Sequence, residues 1–271
     1  MSTPTIFITG ATDGIGKLTA TGLAQENKNT AILIHGRDKI KVDKVVNEIK
    51  TKTGNEHIEG YVADFSSLNE VRQLVKDVLS KHDAIHILIN NVGAGFAAPR
   101  YGKDGTETRF TVNYLAPFLL THLLLPAIQK GRPARIVNVS SAGQSSIHFD
   151  DVMLEKNFNG GTAYTQSKLA LIMFTIDLAE QLKDKNVTVN ALHPGTYLDT
   201  NMVHDAGITP MGTAQSGADA EIYLATSNDL KSVTGKYFNV KKESKAHAQA
   251  YDANARKKLR EITLALTGIN K

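Results

Sequence analysis

Short apolar runs alternate along the chain with longer segments in which apolar residues recur every three or four positions. The runs are rich in β-branched residues and cover 5–9, 30–36, 57–64, 84–90, 134–140, 187–193 and 236–240. The spacing in the longer segments, as at Val71, Leu74 and Val78, is typical of amphipathic helices. The pattern therefore predicts seven strands that are joined by helices.

The strand runs are apolar at nearly every position instead of at alternate positions. Such strands have both faces covered, as in parallel sheets with helices on each side. We therefore predict an α/β fold with a doubly wound, parallel, seven-stranded sheet, a Rossmann fold, with helices on both faces. No repeat or Pro/Gly/Ser-rich linker divides the sequence, so residues 1–271 are predicted to form a single domain that ends in a helix at about 245–267.

The composition excludes several kinds of site. The 271 residues include no cysteine, which rules out disulfides, thiolate metal ligands and a cysteine nucleophile, and no metal site is predicted. Lys and Arg number 31 against 27 Asp and Glu, a net charge of +4 that is weak support for a nucleic-acid partner. Glu243, Asp252 and Glu261 also interrupt the basic C-terminal segment, so we expect no nucleic acid among the partners.

The first strand pattern begins within four residues of the start, which leaves no room for an export signal. The longest apolar stretch, 118–128, contains His122 and Pro126 and is shorter than the about 20 residues that a membrane-spanning helix needs. We expect a cytoplasmic protein without a membrane anchor.

A glycine-rich sequence, TGATDGIG at 9–16, follows the first predicted strand and precedes a helix. Its glycines allow a tight turn and let a pyrophosphate approach backbone N–H groups at the positive end of the helix. By itself the motif also fits an ordinary strand-to-helix turn. If it binds a dinucleotide, the candidate cofactor-binding residues are Gly10, Thr12, Asp13, Gly14, Ile15 and Gly16.

The residue after the second strand bears on the form of the cofactor. An acidic side chain there would bind a ribose 2′-hydroxyl and repel a 2′-phosphate. This chain has Gly36 followed by Arg37, with Lys39 close by. Because a guanidinium can bind phosphate with two hydrogen bonds, NADP(H) is favoured over NAD(H); the alternative is that Arg37 is a solvated surface charge.

The ends of the third and fourth strands add candidates at the same edge of the sheet. Asp64 could accept a hydrogen bond from an adenine amino group, or it could cap a helix. The fourth strand ends in the sequence NNVG. These two strand ends supply the further cofactor-binding candidates Asp64, Phe65, Asn91 and Gly93.

Tyr164 and Lys168 are four positions apart on a predicted helix, so both side chains can face one cleft. A phenol with a pKa of about 10 is a poor acid–base catalyst at neutral pH until nearby positive charge stabilises the phenolate. Lys168 could supply that charge. The pair is also compatible with a tyrosine and a lysine on the flank of an ordinary helix.

Ser140 and Ser141 end the fifth strand at the edge where doubly wound sheets bind ligands. Ser141 could donate a hydrogen bond to a substrate carbonyl oxygen and stabilise developing negative charge. A nucleophilic serine fits less well, because no G-x-S-x-G sequence surrounds it.

Asn113 lies four residues before Pro117 in a predicted helix. Proline has no N–H, so the Asn113 carbonyl is left without its helical partner and could hold a water that links it towards Lys168. The alternative is an ordinary kink in a buried helix.

Together, TGATDGIG, NNVG, Asn113, VNVSS, YTQSK and HPG occur in the order and approximate spacing of the short-chain dehydrogenase/reductase family, and nearly the whole chain resembles that family. The resemblance implies that Tyr164 is the general acid or base and that Lys168 tunes it and binds the nicotinamide ribose. It implies that Ser141, the second serine of its pair, positions the carbonyl and that Asn113 belongs to a proton relay.

The same resemblance implies further cofactor contacts and an assembly state. Residues near the nicotinamide or the phosphates would be Pro194, Gly195, Thr196 and Thr200. A homodimer or homotetramer is expected by resemblance, although loop insertions could equally leave a monomer.

Within the family, the chain is similar to the retinol-dehydrogenase-like branch. The stretch between Ser141 and Tyr164 is longer than usual, and the GKYF strand and the last helix are also similar. Two features depart from that branch: no N-terminal membrane anchor is seen, and Val92 stands where alanine is common. The first departure argues against a retinoid substrate and a membrane location.

The segment at about 196–215 is predicted to be a mobile lid over the substrate that orders when a ligand binds. It carries mainly apolar side chains, among them Met202, Val203, Ile208 and Met211. Such a lid favours an apolar aldehyde or ketone as the substrate; the alternative is a poorly packed surface loop.

The predicted function is that of an NADP(H)-dependent carbonyl reductase or alcohol dehydrogenase, in which Tyr164 moves the proton. The alternative is a non-catalytic NADP(H)-sensing regulatory protein on the same fold. The complete set of Asn113, Ser141, Tyr164 and Lys168 favours catalysis, because a sensor does not need a phenol beside the lysine.

Overall fold

Seven parallel strands and one antiparallel strand form a single sheet in the computed structural model, which describes residues 3–269. In chain order the strands are β1 (Thr5–Ile8), β2 (Ala31–Gly36), β3 (Ile58–Val62), β4 (Ile87–Asn90), β5 (Ala134–Val139), β6 (Val187–His193), β7 (Tyr237–Asn239) and β8 (Lys242–Ser244). Their order across the sheet is β3-β2-β1-β4-β5-β6-β7-β8. The direction of winding reverses between β1 and β4, and doubly wound sheets bind ligands at the strand ends beside such a reversal.

Helices connect the strands and complete the α/β architecture. Over the described residues the α-helices are α1 (Gly14–Glu26), α2 (Lys39–Thr53), α3 (Leu68–Leu79), α4 (Thr108–Phe110), α5 (Ala116–Lys130), α6 (Gly160–Gln181), α7 (Asn201–Asp205), α8 (Ala214–Thr226) and α9 (Ala253–Thr267). The predicted doubly wound Rossmann fold is confirmed, and all seven predicted strands are present.

Apolar side chains on the two faces of the sheet form two separate cores. Along β1, Phe7 packs into one core, and Ile6 and Ile8 pack into the other, because successive side chains of a strand point to opposite faces. The first core includes residues of α3, α5, α6 and α9, and the second includes residues of α1, α2 and α8. Burial on both faces explains why the strands are apolar at nearly every position.

The sheet contains one strand more than the seven that the sequence pattern predicts. The eighth strand, β8, pairs antiparallel with β7, with Tyr237 opposite Ser244. All three residues of β8 are exposed, and Lys242 and Glu243 are charged. Because its side chains are exposed, this strand has no apolar pattern from which it could be predicted.

The helical segment Thr108–Lys130 is long and apolar enough to cross a membrane by length and composition, but most of its apolar window is buried inside the fold. Between α4 and α5 the backbone forms a π-helical turn, Thr111–Leu115, in which Ala116 N–H donates to the Thr111 carbonyl. The sequence predicts an interruption of the helix at Pro117, with either a free Asn113 carbonyl or an ordinary kink. Instead, the helix widens just before the proline, and such turns occur frequently at functional sites.

The last helix begins later than the predicted start at about residue 245. Ala248–Tyr251 forms a separate 3-10 turn, and α9 starts after Asp252, whose side chain accepts from the N–H groups of Asn254 and Ala255. This N-cap sets the first turn of the helix. Gly268, in the left-handed conformation at φ +62°, ends the helix close to its predicted end.

Candidate active site

The turn between β1 and α1 brings the predicted glycine motif to the carboxyl edge of the sheet. Asp13 caps α1, and its Oδ1 accepts from Gly14 N–H at 2.7 Å. Gly10 has a φ of +65°, and a Cβ at this position would lie 2.8 Å from the Val92 Cα. Glycine is therefore needed here both for the backbone conformation and for the close approach of the loop after β4. Ile15 packs beside Gly217 of α8, where it anchors the start of α1.

Asn91 supports the glycine turn from the neighbouring strand. Its Nδ2 donates to the carbonyl oxygens of Thr9 and Gly10, each at 2.9 Å. Thr9 Oγ1 in turn accepts from the backbone N–H groups of Asn91 and Val92, both at 3.1 Å. A Cβ on Gly16 would collide with the Asn91 amide. The sequence places Asn91 among the cofactor-binding candidates, but in the structure its amide nitrogen is used to shape the turn.

The ends of β2 and β3 place three more candidates beside that turn. Thr12 packs against Gly36, where a Cβ would lie 3.1 Å from the Thr12 Oγ1. Arg37 follows directly and is exposed. Phe65 is buried with its ring stacked on His35, the centroids 4.3 Å apart, so it offers a ligand its backbone and not its ring.

Asp64 follows β3 close to Arg37. Burial alone would raise the pKa of this carboxyl group, but hydrogen bonds from Ser66 and the charges of Lys103 and Arg37 lower the pKa below its ordinary value. Ser66 N–H donates to Asp64 Oδ1 at 2.9 Å. Asp64 is therefore ionised at neutral pH and is held by its own loop.

Tyr164 and Lys168 lie one turn apart on α6, as their spacing predicts. The Lys168 Nζ is 5.8 Å from the centre of the Tyr164 ring and donates to the Val139 carbonyl oxygen at 3.0 Å. Lys168 is only 4% exposed, and burial lowers its pKa to about 8, against a smaller opposing effect of Glu221. The structure thus holds a buried cation next to the phenol.

Ser141 lies beside Tyr164, whereas Ser140 does not face the cleft. Burial raises the pKa of the Tyr164 phenol, and its hydrogen bond with Ser141 lowers the pKa in part. Ser141 Oγ also accepts from Gly143 N–H at 3.0 Å. The Ser140 hydroxyl is buried and donates to the Lys168 carbonyl at 2.8 Å. Of the two serines, Ser141 is the one whose hydroxyl lies next to the phenol.

Asn113 is fully buried in the π-helical turn, and its side chain is bound within the protein. Its Oδ1 accepts from Ala94 N–H at 2.7 Å, and its Nδ2 donates to the Ala94 carbonyl at 3.1 Å and to Ser167 Oγ at 2.9 Å. A Cβ on Gly93 would lie 3.6 Å from Lys168 Nζ and 3.7 Å from Asn113 Oδ1. Asn113 therefore lies near the lysine, and only its backbone carbonyl is left for the predicted relay.

The loop after β6 carries the remaining cofactor-binding candidates, Pro194, Gly195, Thr196 and Thr200. Thr196 Oγ1 lies 3.1 Å from His193 Nε2, at the end of the strand. The Thr200 Cγ2 would lie 3.2 Å from a Cβ on Gly14. The structure thus brings this loop against the glycine turn, although the two are far apart in sequence.

Helix α7 belongs to the predicted lid segment and crosses the mouth of the cleft. The Asn201 side-chain amide donates to the Asp13 carboxylate in the glycine turn. The Met202 side chain covers the loop after β4, and its Cε would lie 3.3 Å from a Cβ on Gly93. The lid segment therefore contacts both the glycine turn after β1 and the loop after β4.

Several residues at this site were not predicted. The Phe96 ring lies 4.6 Å from the Tyr164 ring, and the buried Arg109 donates to the Phe96 carbonyl at 2.7 Å. Tyr197 is exposed and close enough to raise the pKa of Tyr164. Phe96 and Tyr197 lie in loops, where no periodic pattern singles them out.

His35 was also not predicted as a residue of this site. It is a polar residue inside the apolar run AILIHG, and this unusual position could have marked it in the sequence.

A family model and several known proteins match this chain. The short chain dehydrogenase family model matches residues 4–210. Retinol dehydrogenase 11 of Homo sapiens is 35% identical over 274 residues, which cover 97% of this chain and 86% of that protein. Retinol dehydrogenase 13 of Homo sapiens is 34% identical over 283 residues, covering 98% of this chain and 85% of that protein.

Solved structures share the fold over most of the chain. An uncharacterised protein from Mycobacterium paratuberculosis superposes with a TM-score of 0.80 and 27% identity, covering 98% of this chain and 94% of its own. The RhlG/NADP complex from Pseudomonas aeruginosa has a TM-score of 0.71 and 23% identity, covering 88% of this chain and 95% of its own. The chain therefore belongs to the short-chain dehydrogenase/reductase family of oxidoreductases, in the branch that is similar to the retinol dehydrogenases.

Proposed function

We propose that this protein is an NADP(H)-dependent oxidoreductase that interconverts an apolar aldehyde or ketone and the corresponding alcohol. One observation carries the proposal: the buried Lys168 cation, the Tyr164 phenol and the Ser141 hydroxyl lie together at the carboxyl edge of the sheet. Membership of an oxidoreductase family supports redox chemistry. The phenol beside a buried cation supports turnover over the alternative, a non-catalytic NADP(H) sensor.

The residues at this edge fit a dinucleotide. The glycine turn presents the N-terminus of α1, which favours a pyrophosphate. Lys168 Nζ has three N–H groups, and within residues 3–269 its hydrogen-bond partner is the Val139 carbonyl, so it retains donors for a ribose. Family membership supports a nicotinamide cofactor. We propose that the cofactor candidates named above line this site, with Asn91 acting mainly through the turn.

Arg37 supports NADP(H) over NAD(H). It is exposed at the end of β2 and makes no salt bridge among the described residues, whereas Lys39 pairs with Asp43 at 2.7 Å. A free guanidinium at this strand end suits a 2′-phosphate. The structure of RhlG, which shares this fold, is that of a complex with NADP, and this agrees with the choice of cofactor.

The side chains divide the proton chemistry among them. Ser141 donates a hydrogen bond to the substrate oxygen, and Tyr164 gives that oxygen a proton in reduction and removes it in oxidation. Because burial raises the pKa of Tyr164, the phenolate needs the nearby Lys168 charge. A nicotinamide bound at this site would supply the hydride in reduction and accept it in oxidation. The Asn113 carbonyl, near Lys168, is proposed to hold the water through which the proton is replaced.

The mouth of the cleft is apolar, which supports an apolar substrate. Phe96 packs on Tyr164, and Met202 covers the loop after β4. Met211 is 74% exposed, and its N–H donates to the carbonyl of Tyr197, also exposed. Large exposed apolar side chains around one opening are typical of a binding surface.

The test is the decay of nicotinamide absorbance with NADPH, and separately with NADH, over a panel of apolar aldehydes and ketones. We expect turnover with NADPH that is lost in Tyr164→Phe, while Tyr223→Phe, on α8, retains it. If wild type and Tyr164→Phe both bind NADPH and neither reduces any carbonyl, the sensor is the better explanation. A strong preference for charged sugars would exclude the apolar substrate.

The proposal also covers the number of domains, the oligomeric state and the location of the protein. We propose one domain for residues 1–271, because the first and last strands belong to the same sheet. A homodimer or homotetramer and a cytoplasmic location without a membrane anchor stay predictions. Light scattering after size-exclusion chromatography and cell fractionation test them.

A further inference from the structure

His35 lies inside β2, and its ring contacts two separate loops. It is 2% exposed. Its Nδ1 accepts from Gly10 N–H at 3.2 Å, and its Nε2 lies 2.9 Å from the Ala63 carbonyl oxygen. The ring also stacks on Phe65 at 4.3 Å. One side chain thus connects the glycine turn after β1 to the loop after β3.

The two partners decide the state of the ring. A backbone N–H can only donate and a carbonyl oxygen can only accept, so Nδ1 carries the lone pair and Nε2 carries the hydrogen. The ring is therefore neutral. Burial is the largest effect on its pKa and lowers it to about 4, against smaller raising effects of the Ala63 carbonyl and the Asp64 charge. His35 is thus a fixed donor and acceptor at neutral pH and not a proton carrier.

Core packing alone does not require a histidine at this position. The neighbours on the strand, Leu33 and Ile34, are apolar and fully buried. A polar ring is costly to bury unless both nitrogens are bonded, and here the backbone of two different loops bonds them. The backbone of His35 also holds the glycine turn, because its carbonyl accepts a hydrogen bond from Ala11 N–H at 2.9 Å.

Both loops that His35 holds carry cofactor-binding candidates. Gly10 begins the glycine turn, and Ala63 directly precedes Asp64. We propose that His35 is a positioning residue for the adenosine half of the cofactor site, which holds the glycine turn and the Asp64 loop at the spacing that the dinucleotide requires. This inference rests on the proposed function. His35 itself does not touch the cofactor; it acts through the two loops.

Two substitutions separate the hydrogen bonds from the shape of the ring. His35→Phe keeps an aromatic ring against Phe65 but loses both hydrogen bonds. His35→Asn retains an acceptor close to the Nδ1 position for Gly10 N–H. NADPH affinity is measured on the full-length protein by fluorescence titration, together with kcat and the KM values of cofactor and carbonyl. Tyr114→Phe is the matched control, because it also removes a buried hydrogen bond, the one at 2.7 Å between Tyr114 and Thr263 of α9.

We expect His35→Phe to raise the Kd of NADPH about five- to tenfold, with kcat within about twofold of wild type. His35→Asn should recover much of the affinity, and Tyr114→Phe should bind NADPH like wild type even where its melting temperature falls equally. A general loss of stability would not produce this split between cofactor KM and kcat.

Three results would overturn the inference while leaving the proposed function intact. The first is wild-type NADPH affinity in folded His35→Phe. The second is an equal loss of affinity in Tyr114→Phe, and the third is a His35→Asn variant that binds no better than His35→Phe. If His35→Phe does not fold, the test rests on His35→Asn. The inference then requires His35→Asn to keep most of the wild-type affinity for NADPH, and a large loss of affinity would show that the inference is wrong. A wild-type protein that binds no NADPH would instead contradict the proposed function, and with it this inference.

Discussion

The Lys168 ammonium lies 5.8 Å from the centre of the Tyr164 ring and is held there by the Val139 carbonyl at 3.0 Å. The lysine therefore acts on the phenol through its charge, at a distance set by the backbone of β5. Because both residues are largely enclosed, water screens this charge less than it would at the surface. The positive charge of Lys168, as well as its hydrogen bonds, is therefore expected to affect catalysis by Tyr164.

Removing that charge should impair catalysis. We expect Lys168→Met to lower kcat at least about 100-fold, because the Ser141 hydrogen bond is then left without a nearby positive charge to help it offset the burial that raises the pKa of Tyr164. Steady-state kinetics at pH 7 measure the effect. Lys183→Met, an exposed lysine just past α6, serves as control and should behave like wild type. A Lys168→Met variant with full activity would show that the phenol does not depend on the lysine.

The pH dependence of reduction should reflect the same lysine. Burial lowers the pKa of Lys168 to about 8, so in the free enzyme the side chain is charged below that pH and becomes neutral above it. We expect kcat/KM for carbonyl reduction to fall as the pH rises above about 8, since kcat/KM reports groups of the free enzyme. The measurement is a pH profile from 6 to about 10, and a flat profile up to its end would contradict the assignment.

Arg37 should determine the preference for the cofactor phosphate. We expect Arg37→Glu to raise the KM for NADPH at least about tenfold and to leave the KM for NADH unchanged or lower, because a carboxylate repels the 2′-phosphate. Lys39→Glu is the matched control: it makes the same change of charge nearby, but Lys39 pairs with Asp43. Equal effects of the two variants would indicate a general change of surface charge.

Phe96 should affect the substrate but not the cofactor. Its ring packs 4.6 Å from that of Tyr164 at the mouth of the cleft. We expect Phe96→Ala to lower kcat/KM for small apolar aldehydes about tenfold, because they lose an apolar wall, while the Kd of NADPH stays unchanged. Met211→Ala removes a side chain that is more exposed than Phe96, so it should have a smaller effect. A selective loss of NADPH binding in Phe96→Ala would be inconsistent with this role.

Glu221 should make the fold less stable as the pH rises. It is fully buried on α8, where Thr19 donates to one carboxyl oxygen at 2.8 Å and the other oxygen has no partner among the described residues. Burial raises the pKa of Glu221 to about 8, against smaller lowering effects of Thr19 and Lys168. The folded state thus keeps a proton that the unfolded chain releases above a pH of about 4.5, and stability falls across this interval.

We expect Glu221→Gln to remove that loss. Between pH 5 and 8, the free energy of unfolding of wild type should fall by at least about 2 kcal/mol relative to the variant. Denaturant unfolding at the two pH values measures it, with Glu243→Gln, an exposed residue, as control. Parallel changes in wild type and Glu221→Gln would mean that the carboxyl group is already ionised in the folded protein.

The sequence pattern was sufficient for the doubly wound sheet, because strands covered on both faces are recognisable from their continuous apolar runs. It was also sufficient to place Tyr164 and Lys168 on one helix face, since residues four apart on a helix are neighbours. It was not sufficient for β8, whose three residues are exposed, or for the π-helical turn that holds Asn113.

The sequence by itself determined which residue types reach the carboxyl edge of the sheet: the glycines of the turn, the serine, the tyrosine and the lysine. Only the tertiary structure decided how they are held, with Asn91 supporting Thr9 across 82 positions and His35 binding Gly10 across 25. The physical reason is that periodicity records contacts between residues a few positions apart, whereas the site is assembled from loops that meet only when separate strands pair.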